Sequence, residues 1–177
     1  MDRAFAGFWP GYRRRGVSEL PHPLAHSLAF RFGLAQERET LEDLQRRASM
    51  VYDAYRDALR ANPGATHLPL SQLMEQRVRV AERGGRIAGF SVVLPREGEG
   101  CELDGLFVEP DRWKSGIGRA LMRDAFALAR AQGARTMHVL ANPYAEGFYK
   151  KLGFARTGIV QTQLGIGSKM HCPLGQT

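Results

Sequence analysis

The sequence predicts a single α/β domain built on a sheet of mixed strand direction. Its 177 residues, 44% of them hydrophobic, suffice for one substantial core and are short for two domains. Segments with strand alternation and segments with helical periodicity succeed one another along the chain. A β-hairpin over 77–94 brings antiparallel pairing into that succession, so the sheet is not purely parallel.

The elements follow in order. Leu28, Phe30 and Phe32 alternate with Ser27, Ala29 and Arg31, a half-buried first strand. Thr40-Leu-Glu-Asp43 has the form of a capping box. Leu41, Leu44, Ala48, Val51, Tyr52, Tyr55 and Leu59 then recur at three- and four-residue steps, predicting one long helix that ends near Asn62-Pro63-Gly64. A short helix is expected around Leu70 to Met74. Arg77 to Glu82 and Ile87 to Leu94 are the hairpin strands, turned at Arg83-Gly84-Gly85-Arg86. Cys101 to Val108 is a further strand, stopped by Pro110. Ser115 to Ala131 reads as a helix with Ile117, Leu121, Ala125 and Leu128 on one face and Gly133 at its stop. Thr136 to Ala141 is a strand, and Glu146 to Leu152 a short helix ended by Gly153. Weaker strands around Ala155 to Val160 and Ser168 to Pro173 close the chain.

Residues 1–26 mix Phe5, Phe8, Trp9 and Tyr12 with Arg13 to Arg15 and three prolines, without periodicity. They read as a loosely held arm ahead of a domain spanning 27–177, or else as a flap or dimer contact. No apolar run is long enough to cross a bilayer, and no signal-peptide pattern opens the chain. Cys101 and Cys172 form neither a disulfide framework nor a zinc pattern, and a reduced, cytoplasmic setting is expected. His22 and His26 are separated by prolines that deny them a shared helix face, so no metal site is expected. The net charge of +7 favours anionic partners. The arginines are nevertheless scattered. Only Phe8 to Arg15 loosely resembles a nucleic-acid stripe, and nucleic acid is not the expected partner.

Leu106 to Leu121 carries the strongest local signal: a buried strand joined to an amphipathic helix through a turn containing Gly116 and Gly118. Glycine admits close backbone approach, and the free amides of a helix's first turn attract phosphate oxygens. Gly-x-Gly alone fits steric relief equally well. The segment is not a Walker P-loop, which needs Gly-Lys-Ser/Thr, and it lacks the third Rossmann glycine, since Leu121 stands there.

This stretch resembles the coenzyme A binding motif of the GCN5-related N-acetyltransferase (GNAT) superfamily. Asn142-Pro-Tyr-Ala-Glu-Gly-Phe-Tyr149-Lys-Lys-Leu-Gly-Phe154 resembles the same family's second block, in the family's order and spacing. The likeness covers roughly 75–160, and 27–64 by strand-helix order only.

The resemblance implies a mostly antiparallel mixed sheet with a splay between its fourth and fifth strands, flanked by helices. It implies acetyl-coenzyme A as cofactor, and direct acetyl transfer to a primary amine of a small molecule or peptide. The main chain of Leu106, Phe107 and Val108 would hold the pantetheine arm and thioester. The amides of Lys114, Ser115, Gly116, Ile117, Gly118 and Arg119 would wrap the pyrophosphate, and Asn142 would reach the pantetheine amides. Asn142 also suits a turn before Pro143. Tyr149 matches the family's general acid for the leaving thiolate. Asp104 is the first candidate for general base, with Glu102 on the same face if the strand stays regular. Trp113 departs from the family, which usually has Gln or Arg there. His138, a lone strand histidine, is left out of the site. The resemblance also implies pairing of two copies through the last strands or sheet edges. A non-catalytic acyl-coenzyme A sensor is the alternative, and it could dispense with Tyr149.

Overall fold

The computed structural model describes residues 27–175; the arm, His22 and His26, and the Phe8 to Arg15 stripe lie outside the described residues. Seven strands form one sheet in the order β1-β2-β3-β4-β5-β7-β6. They are β1 (Leu28–Phe32), β2 (Val78–Arg83), β3 (Arg86–Pro95), β4 (Gly100–Val108), β5 (Thr136–Ala141), β6 (Ala155–Thr162) and β7 (Gly165–Pro173). Every neighbouring pair is antiparallel except β4 and β5. The expected mixed sheet is therefore present.

Helices cover the sheet unequally. The front layer comprises α1 (Arg38–Ser49), α2 (Asp53–Ala61) and α3 (Leu70–Met74); the back layer comprises α4 (Ile117–Ala131) and α5 (Glu146–Lys150). Leu41, Leu44 and Leu73 bury against Val78, Val80, Phe90 and Val92 at the front. Behind, Met122, Ala125 and Ala129 of α4 pack on Leu103, Met137 and Val139. Each leucine, valine, methionine or phenylalanine among them contributes about 1.5–3 kcal/mol relative to exposure.

The first helix differs from expectation at both ends. Glu37, not Thr40, organises its start: the carboxylate accepts the Leu34 N–H at 2.9 Å and pairs with Arg31 at 2.6 Å, which also reaches Glu82 at 2.7 Å. The chain thus turns before Thr40, which falls inside α1. At the other end the predicted single helix is two, because Tyr52 is extended (φ −89°, ψ 111°). The Arg56 Nε donates to Met50 O at 2.8 Å, satisfying a carbonyl at the break. The remaining elements lie within a few residues of their predicted places. Gly84 and Gly85 turn the hairpin with positive φ, and Gly153 (φ 93°) lets the Phe154 N–H return to Tyr149 O at 3.1 Å.

One ion pair ties the sheet to its back layer. Arg79 of β2 donates twice to Asp124 of α4, at 2.7 and 2.8 Å, with 15% and 18% of the two side chains exposed. Removing one partner strands the other charge in a mostly apolar setting. Asp124→Ala should lower unfolding free energy by about 2–4 kcal/mol, read from urea denaturation. A loss under about 0.5 kcal/mol would show the pair to be no more than a surface contact.

Candidate active site

The two strands at the centre of the sheet are paired for only four positions, from Gly100 with Thr136 to Leu103 with Val139. Beyond them β4 stays on β3 as far as Val108, while β5 stays on β7 as far as Ala141. The expected splay is this parting. Leu106, Phe107 and Val108 keep Ser91, Phe90 and Gly89 as partners on one edge and have no strand on the other. Main-chain groups on that free edge need partners when water is excluded.

Asp104 sits where the parting begins. Val92 pairs with Gly105 and Val93 with Leu103, so Asp104 is an extra residue on β4, a β-bulge. Up to the bulge the strand alternates, with Cys101 and Leu103 buried and Glu102 and Asp104 not. Glu102 pairs with Arg96 at 3.5 Å beside His138. Asp104 is exposed and accepts from Gln72 Nε2 of α3 at 3.5 Å. Partial burial and the nearby Arg96 hold the His138 imidazole below its ordinary pKa. A cavity of about 250 Å³ opens beside Glu102, His138, Leu140 and Lys169.

The glycine turn follows the end of β4. Lys114 (φ 62°) and Gly116 (φ 86°) are both left-handed, and Ser115 Oγ donates to Arg112 O at 2.6 Å. From Lys114 to Arg119 no amide donates to a backbone carbonyl among the described residues; the first that does is Ala120, to Gly116 O at 3.0 Å. The result is a row of free donors at the start of a 15-residue helix. Lys114 and Arg119 are exposed beside it. Gly116 needs its positive φ. Gly118 does not, and a Cβ there would meet Phe148 and Val108 only at 3.6 and 3.7 Å, ordinary contact. Steric relief therefore does not explain Gly118. Trp113 is a structural tie: its Nε1 donates to Val108 O at 2.8 Å.

Asn142 acts as a turn former, its Oδ1 accepting the Tyr144 N–H at 2.8 Å. That leaves its Nδ2 as a donor at the end of β5. Tyr149 is buried in the back core, edge-on to Phe148 and Phe154 at 5.2 and 5.4 Å. Burial pushes its phenol well above the usual value of 10, with a smaller contribution from Tyr52 in the front layer. The phenol stays protonated across the physiological range.

Sequence reasoning did not foresee the aromatic cluster at the mouth of the splay. Tyr52 stacks on Tyr144 at 5.3 Å and packs against Trp113 at 5.8 Å, with Tyr55 edge-on to both tyrosines. Helical spacing had assigned Tyr52 and Tyr55 to a core stripe, and the break at Tyr52 turns them here. Gln72 was also missed, and nothing in its sequence neighbourhood marks it.

Among the described residues no group of three or more His, Cys, Asp or Glu side chains is placed to hold a metal, and no helix is long and apolar enough to cross a membrane.

A mixed sheet that parts between two parallel neighbours, with a free helix N-terminus at the mouth, defines the N-acetyltransferase fold. Residues 74–156, a little under half of the chain, match the acetyltransferase (GNAT) domain. The PaiA N-acetyltransferase of Thermoplasma acidophilum, solved in complex with coenzyme A, superposes with a TM-score of 0.66 over 83% of this chain and 99% of that one, at 17% identity. A GCN5-related N-acetyltransferase from Rhodopseudomonas palustris gives 0.70 over 86% and 99%, at 20% identity. At these identities the likeness is one of fold. The peptidyl-lysine N-acetyltransferase YjaB of Salmonella typhimurium is 44% identical over 59 residues, 33% of this chain and 39% of that protein. The match thus spans well under half of that relative.

The short helix carrying Tyr149 is held by Glu146. Its carboxylate accepts from Ser168 Oγ and pairs with Lys150 at 2.9 Å and Arg156 at 3.3 Å. The Ser168 and Lys150 hydrogen bonds lower its pKa from 4.5 to about 2. A depressed carboxylate contributes stability above its unfolded pKa and loses it as pH falls through the folded one. The urea midpoint of wild type should therefore exceed that of Glu146→Gln at pH 6, with the gap closing between about pH 4.5 and 2. A gap independent of pH would refute the assignment.

Proposed function

We propose that the protein is an acetyl-coenzyme A-dependent N-acetyltransferase that moves the acetyl group directly to a primary amine in a ternary complex. The observation that carries this reading is the free edge of β4 beside a glycine turn whose amides have no internal partners. The chain's residues fit the cofactor: Gly118 has no packing reason to be glycine, and a pyrophosphate suits the donor row. The main chain of Leu106, Phe107 and Val108 binds the pantetheine arm along the splay. The amides from Lys114 through Arg119 hold the pyrophosphate, Lys114 and Arg119 add charge, and Asn142 Nδ2 donates to the arm from β5.

Bound acetyl-coenzyme A supplies the thioester from which the acetyl group is taken. Asp104 removes a proton from the acceptor ammonium, leaving the neutral nitrogen that forms the new C–N bond. Tyr149 gives its proton to the thiolate released as the C–S bond breaks, and the second proton shed by the nitrogen as it becomes an amide restores the phenol. Its burial suits that role, because the phenol is neutral before transfer. The likeness to a peptidyl-lysine N-acetyltransferase favours a lysine side chain on a peptide as acceptor. Both cysteines are free and buried, which accords with a cytoplasmic setting. The outer edge of β6 is the surface on which a homodimer would form, a state read by light scattering.

Calorimetric titration of cofactor-free protein with acetyl-coenzyme A tests the site. Wild type should bind in the micromolar range. Gly118→Ala should bind about 10-fold more weakly, with thermal stability equal or higher because alanine is the better helix residue. Tyr149→Phe should bind normally and lose about 100-fold or more in kcat. Folded wild type that does not bind would overturn the reading.

A further inference from the structure

Two buried side-chain oxygens near the splay have no hydrogen-bond partner among the described residues, Ser91 Oγ on β3 and the amide oxygen of Gln72. The Gln72 Nε2 is engaged by Asp104 at 3.5 Å, while its Oε1 is buried with no hydrogen-bond partner among the described residues. A buried, unpartnered amide oxygen destabilises the fold, so it is expected to have a partner in some working state. The amide cannot simply be reversed. The opposite orientation would set Oε1 against the Asp104 carboxylate and leave the donor without its acceptor.

The placement is as informative as the orphaned atom. Asp104 is the bulged residue at the start of the splay, and Gln72 comes from α3 in the front layer. Together they offer oxygens of both kinds, amide and carboxylate, at the point where the strands part. A protonated amine carries donors only, and two oxygens bordering one position would take two of its three N–H bonds.

We propose that Gln72 Oε1 and the Asp104 carboxylate form a cradle for the ammonium group of the acceptor, with Gln72 positioning the nitrogen that Asp104 deprotonates. This rests on the acetyltransferase reading above. Gln72 takes no proton in the reaction. It accepts one N–H of the ammonium, Asp104 accepts another and keeps that proton, and the freed lone pair makes the C–N bond. The same arrangement discriminates by substrate class: an alcohol acceptor offers one donor and would leave Oε1 orphaned.

The test uses the full chain with a synthetic lysine-bearing peptide as acceptor. Gln72→Leu should raise the peptide KM about 10-fold or more while kcat falls by a smaller factor. Its acetyl-coenzyme A affinity should be unchanged, and its melting temperature should not drop, since leucine removes an unpartnered polar atom. Gln72→Met, which keeps the length of the side chain and removes the acceptor oxygen, should be as impaired as the leucine variant. A Gln72→Leu enzyme with peptide KM within twofold of wild type, or a methionine variant whose peptide KM stays near wild type, overturns the cradle. Those results alongside normal acetyl-coenzyme A titration would defeat this proposal alone. Wild type that binds no acetyl-coenzyme A would defeat the acetyltransferase reading beneath it.

Discussion

The parting of β4 from β5 after Leu103 and Val139 is the constraint on which the remaining structure depends. A sheet ordinarily satisfies its central strands on both edges. Here each strand keeps one neighbour and leaves the other, so the middle of the sheet has strand edges without a ladder partner. The bulge at Asp104 starts the parting by adding a residue to β4, and α4 bridges it from behind, packing on both strands. The core stays continuous across the gap on that side. What opens on the front is a slot whose walls are main chain, and that suits a long flexible arm of amides better than a compact ligand.

The flanking elements can be understood from this slot. The glycine turn lies at its mouth because β4 must end there and α4 must begin, and Gly116 makes the reversal with positive φ. Asp104 stands at its inner end, and Tyr149 lies in the back core. The same free edge explains Trp113: its indole takes the Val108 carbonyl, satisfying one group of the strand end and bracing the turn against the front layer through Tyr52.

Much of this was legible in the sequence because it rests on local patterns. The hairpin at Gly84-Gly85, the apolar face of α4 and the Gly153 stop each follow from a few adjacent residues, and both motif blocks fall in single short segments. The misplaced features depend on distant partners. Glu37 displaced Thr40 as organiser of α1 because Arg31 and Glu82, far apart in sequence, converge on one another. The break at Tyr52 goes with its stacking on Tyr144, 92 positions away along the chain. The bulge at Asp104 is a matter of register between two strands, invisible in either alone, and Gln72 gains its meaning only from it.

The left-handed turn at Lys114 carries a further consequence. A lysine at φ 62° is held there against its own preference, at a cost of order 1 kcal/mol. The surrounding fold bears that cost in the unliganded chain, so the free amides of the turn are already aligned. On the proposed reading, capture of a phosphate group would require little loop ordering, and its rate would be governed by diffusion and by the attraction of a chain carrying +7 net charge. The slot would then fill from a preset mouth inward.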